Sequence, residues 1–282
     1  MEVSGIFSEV FEPDLIFMPS ELTAEILRQH SVKERKALIL EHAAFIDATH
    51  ISDEKLRKAY KLGKIISSLS KDYFHYQIEQ NNQLEQQSQL IQTKTDNFAT
   101  KFIDWLEKDF SNKQAILDRH PNPRNLFELC GAKLLVTSNS VTRSLSTKMG
   151  RLWEELSNIS PYVIVPEFEF DIKITGIDII IFSNETVYLA QLKTLKGTLT
   201  GSQKNRAEKE LSIHENPLFV AAFDLGQWTF SNSSQIPRIA GSEFWQKICM
   251  DYNLVENHVR TMLQKIDKAF SQLAASETSN NS

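Results

Sequence analysis

Gly176-Ile177-Asp178-Ile179-Ile180-Ile181-Phe182 and, one short turn later, Thr186-Val187-Tyr188-Leu189-Ala190-Gln191-Leu192-Lys193 decide the fold. Both stretches are short, apolar and rich in β-branched or aromatic residues. They are separated by Ser183-Asn184-Glu185, so both read as strands. A charged residue in a run this apolar needs a reason, and Asp178 is the one charge in Ile177–Phe182. Gln191 and Lys193 lie two apart on the second strand and share a face. Thirteen residues separate Asp178 from Gln191, enough for a hairpin to set the acid beside the Gln–Lys pair.

Working outward, residues 162–174, YVIVPEFEFDIKI, alternate after Pro166. Glu167, Glu169, Asp171 and Lys173 fall on one side, and Phe168, Phe170, Ile172 and Ile174 on the other. That period predicts a half-buried strand with a solvated acidic face. Thr175-Gly176 makes a turn. Residues 201–214, GSQKNRAEKELSIH, read as a helix and residues 218–223, LFVAAF, as a further strand. Ahead of the strands, Leu145, Met149, Leu152 and Leu156 line one face of a helix over residues 144–157. Helix closes the chain over 243–272. The class is therefore α/β, a mixed sheet flanked by helices.

The N-terminal part reads as a large helical region. Residues 20–47 predict one helix with Ser20 as N-cap and Thr23 at N3. A second helix starts near Ser52-Asp53-Glu54 and is punctuated by Gly63. Residues 77–95 are rich in Gln, and Ile78, Leu84, Leu90 and Ile91 make only a thin apolar stripe, as on a solvated or partner-facing helix. Phe98, Phe102, Trp105, Leu106 and Phe110 form a strong helical pattern that Pro121 and Pro123 end. Residues 125–137 predict another short helix. The expected organisation is a helical region over 1–141, an α/β core over 142–275 and a disordered tail over 276–282.

Composition narrows the classes. The hydrophobic share of 41% rules out wholesale disorder, and the formal charge of −5 gives no coat of positive charge. No apolar run approaches the roughly 20 residues of a membrane span. The acidic start MEVSGIFSEVFEPD is unlike a secretory signal, and Cys130 and Cys249 make neither a disulfide framework nor a zinc site, so cytoplasm is the expected setting. The seven His have no metal-ligand spacing. Gly197 and Gly201 fit neither a Walker loop nor a dinucleotide fingerprint, so no nucleotide cofactor is expected.

An acid, an amide oxygen and a lysine on neighbouring strands suit phosphodiester hydrolysis. A hard divalent cation needs oxygen ligands, which Asp178, Gln191 and the Leu192 carbonyl offer. A lysine beside it orients water and offsets charge on the phosphate. The plainer alternative is an Asp178–Lys193 ion pair and nothing more. At these residues, Gly176–Ile181 and Ala190-Gln191-Leu192-Lys193-Thr194, the chain resembles the PD-(D/E)xK nuclease superfamily, especially its type II restriction endonucleases. The resemblance covers about residues 146–225. It implies the PD-(D/E)xK fold, Mg²⁺ as cofactor, and hydrolysis of double-stranded DNA at a specific site by a homodimer, the alternatives being a DNA repair or junction nuclease of the same superfamily or a catalytically inactive DNA-binding protein of the same fold. It further implies Asp178, Gln191 and Lys193 as catalytic residues, with Asp178, Gln191 and Leu192 at the metal. A leading-helix Glu joins them, either Glu154, at Gly-x-x-x-Glu spacing from Gly150, or Glu155. Gln191 stands where the pattern has Glu or Asp, removing one negative charge from the site.

Residues 193–209 carry five basic side chains against the single acid Glu208. On an acidic protein that local excess points to phosphate contacts, with Lys196, Ser202, Gln203, Lys204, Asn205 and Arg206 as the DNA-binding candidates. An ordinary exposed loop and helix start gives the same pattern.

Overall fold

The computed structural model describes residues 21–80, 83–119, 130, 132–233 and 235–280. Its helices are α1 Ala24–Arg28, α2 Val32–Ala44, α3 Glu54–Gln80, α4 Gln87–Arg119, α5 Lys133–Ser157, α6 Pro166–Phe170, α7 Gly201–Ser212, α8 Ser242–Lys247 and α9 Tyr252–Asn280. Its strands are β1 Val163–Ile164, β2 Ile179–Ser183, β3 Thr186–Leu195, β4 Pro217–Phe223 and β5 Arg238–Ala240. They form one mixed sheet in the order β1-β2-β3-β4-β5. β2 runs antiparallel to both its neighbours, β1 and β3, whereas β3, β4 and β5 run parallel. A parallel neighbour requires a crossover, and α7 supplies it between β3 and β4.

The turn between β2 and β3 has two central residues, Asn184 at φ 51° and Glu185 at φ 58°. That is the handedness a two-residue hairpin needs to follow the strand twist. Glu185 lacks the freedom of a glycine, but its carboxylate is held by Lys71 at 2.8 Å.

Both faces of the sheet are covered, which is why its strands read as nearly continuous apolar runs. Ile179, Ile181, Ala190, Leu192, Val220 and Ala222 pack with Phe102, Leu106, Trp153, Leu156, Trp245 and Val255 from α4, α5, α8 and α9. Ile180, Phe182, Leu189 and Phe219 pack with Leu27, Ile39, Ile66, Phe74 and Leu211 from α1, α2, α3 and α7. The N-terminal helices thus share both cores with the sheet, and position 141/142 falls inside α5. Among the described residues, no helix is long and apolar enough to cross a membrane.

Several sequence expectations are corrected. The segment 162–174 is a strand only at Val163–Ile164. Pro166 then opens the single turn α6, where its fixed φ suits the first helical position. Asp171, at φ 51°, ends that turn. Nor is the acidic face free: Arg35 and the Tyr73 hydroxyl donate to Glu169, Lys36 bonds Asp171 at 2.9 Å, and Arg151 lies 3.3 Å from Glu167. Residues 20–47 make two helices, because Ser31 and Glu34 form a reciprocal capping box that starts α2. Thr23 is itself the cap of α1, and Ser20 lies outside the described residues. The stripe within 77–95 faces inward: Ile91 is fully buried, and Ile78, Leu84 and Leu90 pack against the two cores. α9 continues as helix to Asn280, through most of the expected tail. The helix expected at 125–137 is α5 from Lys133 onward, and Pro121 and Pro123 lie outside the described residues.

Gly63 does not end its helix. It sits in the middle of α3, where a Cβ would meet His214 Nδ1 at 2.5 Å. His214 is buried, its Nε2 has no hydrogen-bond partner among the described residues, and burial lowers its pKa to about 4. Alanine at position 63 gains roughly 1 kcal/mol of helix propensity. It displaces a packed ring at a cost on the order of 1–3 kcal/mol. Gly63→Ala therefore lowers the thermal midpoint. The neutral ring also makes stability pH-dependent. The unfolded chain binds more protons than the folded one between pH 6.5 and about 4, so stability falls as pH drops through that window. Roughly 3 kcal/mol is at stake for this one group. Denaturant titrations across pH 7 to 4 are expected to show a shallower loss for His214→Leu than for the parent chain.

Candidate functional site

The site is built on the open end of the β2–β3 hairpin. The ladder ends at the Ile179–Ala190 pair, and Asp178 sits just ahead of β2, beside that pair. The Asp178 N–H donates to the Ala190 carbonyl at 2.9 Å. In return the Leu192 N–H donates to Asp178 Oδ2 at 2.8 Å. One carboxylate oxygen is thereby fixed by the neighbouring strand's backbone. By strand alternation Gln191 and Lys193 project from one face of β3. Burial raises the Asp178 pKa, the Lys193 charge and the Leu192 N–H pull it down, and Glu210 pushes it up again.

Lys193 Nζ lies 4.0 Å from Asp178 Oδ2, with 26% of its side chain exposed. A charge-assisted hydrogen bond spans about 2.7–2.9 Å. The lysine is near enough to act on the acid electrostatically, yet its donors are not consumed by it. Gln191 is only 7% exposed, and its Oε1 has no partner among the described residues. A buried amide oxygen without a donor costs about 1–3 kcal/mol.

Helix α5 brings the third component. Trp153 is fully buried and its Nε1 donates to Thr194 Oγ1 at 2.8 Å, which ties the helix to β3 beside Lys193. Glu154 follows directly, 19% exposed. Burial and then the Asp178 charge push its pKa up to about 7, Arg151 pulls it down, and Glu167 pushes it up. Glu155 is 41% exposed and its ion-pair partner is Arg151 at 3.9 Å. Of the two acids left open by spacing, the structure turns Glu154 toward Asp178.

Sequence reasoning missed Glu210. It is buried on α7, and Arg206 Nε donates to its Oε1 at 2.6 Å. The backbone at Gly176, with φ +82°, passes so close that a Cβ there would meet Glu210 Cβ at 2.5 Å. The signal was present in the register: Ala207 and Leu211 are buried on the inward side of α7, and an acid three residues after Ala207 lies on that side too.

The expected DNA-contacting residues are placed less simply. Lys196 is ion-paired with Asp224, and Arg206 with Glu210. The Gln203 side chain caps α7 by accepting from the Thr200 N–H at 3.0 Å. Lys204 donates to Ser231 at 2.7 Å. Ser202 and Asn205 are exposed at the start of α7. These residues share one short segment, but four of them already have structural work within the chain.

The chemistry of the donors, the Asp178 carboxylate and the Gln191 amide oxygen, is that of a hard cation that keeps much of its water. They do not make a closed cage: among the described residues no group of three His, Cys, Asp or Glu is placed to hold a metal. No family model, curated protein or solved structure matches the chain.

The raised Glu154 pKa has a definite sign. The folded state binds more protons than the unfolded one between pH 4.5 and about 7, so stability falls as pH rises through that window. Glu154→Gln is expected to stabilise the protein at pH 8 by on the order of 2 kcal/mol and to change little below pH 4.5. Urea denaturation at the two pH values checks it.

Proposed function

We propose that the chain is a Mg²⁺-dependent endodeoxyribonuclease of the PD-(D/E)xK type, a type II restriction enzyme acting on double-stranded DNA. The observation that carries the reading is the meeting of three groups at the open end of the β2–β3 hairpin: Asp178 pinned by the Leu192 N–H, Lys193 Nζ at 4.0 Å from its carboxylate, and the buried Gln191 oxygen, unpartnered among the described residues, between Ala190 and Leu192 on β3. Asp178 and Gln191 would hold the metal, with Glu154 reaching it through water. The bound ion supplies a more acidic water and offsets charge on the phosphate.

The chain's own groups do the rest. The Leu192 N–H fixes the Asp178 carboxylate before substrate arrives. Lys193 donates to the attacking water or to a non-bridging phosphate oxygen as negative charge grows there. Glu154, poised near neutrality, takes up a proton released during attack. A duplex site with two-fold symmetry is met by a homodimer. A second reading, DNA binding without cleavage, is favoured by Gln191 in place of an acid.

Incubation of purified protein with unmethylated phage DNA, with Mg²⁺ and with EDTA, separates the two. Discrete fragments that require Mg²⁺, vanish with Asp178→Ala and Lys193→Ala, and persist with Gln191→Glu are the expected result. Loss of activity in Lys193→Ala is expected to exceed 100-fold, the scale of a removed transition-state donor. A fully active Lys193→Ala protein would remove the assignment. Intact DNA that nonetheless shifts with folded protein would favour the non-cleaving reading.

A further inference from the structure

A cleft of about 670 Å³ lies along the β1 side of the sheet, lined by residues of α1, α3, α4, β1 and α6, by Gln86 just ahead of α4 and by Asn158 and Ile159 just past α5. That is the volume range of small-molecule sites. It is separate from the Asp178 site and does not depend on the nuclease reading.

Its chemistry is polar and positive. The Arg28 guanidinium lies over two rings, 4.4 Å from the Tyr73 centroid and 3.9 Å from that of Tyr76. Stacking holds the group in place before any ligand arrives, lowering the ordering cost of binding. Its Nη2 donates to the Tyr73 carbonyl at 3.3 Å, but its Nε is buried and has no acceptor among the described residues. Lys94, from α4, adds a second, half-buried cation to the lining. Glu169 also lines the cleft, but its carboxylate is taken by Arg35 and the Tyr73 hydroxyl.

The remaining lining supplies amides. Gln77 Nε2 is spent on the Pro161 and Val163 carbonyls, both at 3.2 Å, which closes the free edge of β1. Gln80, Gln86 and Asn158 offer further donors and acceptors. A cation would be repelled here. With Glu169 already paired, the Arg28 and Lys94 charges in the lining favour an anion, and a phosphate group offers several acceptor oxygens to such cations.

We propose that this cleft binds a small phosphate-bearing molecule, its phosphate held by Arg28 and Lys94 and its body by the amide-lined remainder. The test is isothermal titration calorimetry on the full chain, in EDTA at low ionic strength, with inorganic phosphate and with adenosine monophosphate as probes. Saturable binding is expected, weakened at least about tenfold by Arg28→Gln and by Lys94→Gln, and unchanged by Lys193→Ala. Tighter binding of the nucleotide than of phosphate would assign the rest of the cleft to an organic body, whereas equal affinities would make it a site for phosphate itself. Absence of saturable binding overturns the proposal. So does binding that survives both substitutions, or that Lys193→Ala abolishes. Should Arg28→Gln unfold the chain through lost ring packing, seen by circular dichroism, Lys94→Gln alone decides.

Discussion

The register of the β2–β3 hairpin is the constraint on which the site depends. A slip of one residue would exchange the two sheet faces, driving Ile180 and Leu189 to the wrong core and lifting Gln191 and Lys193 away from Asp178. The register is held at one end by the Asn184-Glu185 turn and at the other by reciprocal bonds between Asp178 and the β3 backbone. Apolar burial on both faces then makes the alternative pairings costly. The polar end of the hairpin is thus fixed by packing several residues away from it.

Around that end the structure gathers more negative charge than its core packing requires. Burial raises the pKa values of both Asp178 and Glu154, the Asp178 charge adds to the rise at Glu154, and the Glu210 charge adds to that at Asp178. An acid at position 191, as buried as Gln191 is, would add a further like charge with little solvent to screen it. The neutral amide keeps an oxygen in that position without the extra repulsion. Arg206 and Arg151 partly compensate from the rim, each paired with one of the acids. Perturbed carboxylates next to a lysine are a familiar mark of functional sites, and here they coincide with an orphaned buried oxygen.

How much was legible in the sequence differs by element. The Asp178, Gln191 and Lys193 set could be read because strand alternation is local and the single acid in an isoleucine run stands out. The choice of Glu154 over Glu155 could not, since neighbouring helical residues point about 100° apart and the rotation of α5 is settled by how Leu152, Trp153 and Leu156 pack and by the Trp153–Thr194 bond. The strand expected after Pro166 failed for a related reason. Alternation of Phe168, Phe170 and Ile172 satisfies a strand, but proline at a first helical position and a residue able to turn at Asp171 permit a one-turn helix just as well. Arg35 and Tyr73, distant in sequence, supplied the partners that favour the helix.

By itself the sequence determined the α/β class, the order of the strands from β2 to β4 with the helix between them, and the juxtaposition of an acid with a Gln–Lys pair. Those features follow from periodicity and from turns, which act over a few residues. Only the tertiary structure decided that the N-terminal helices clamp both sheet faces, that Glu210 joins the acids, that Lys196 and Arg206 are already paired, and that Arg28 and Lys94 line one cleft. Each of these rests on contacts between residues far apart in the chain. Such contacts are set by how the apolar faces close on one another, and no local pattern records them.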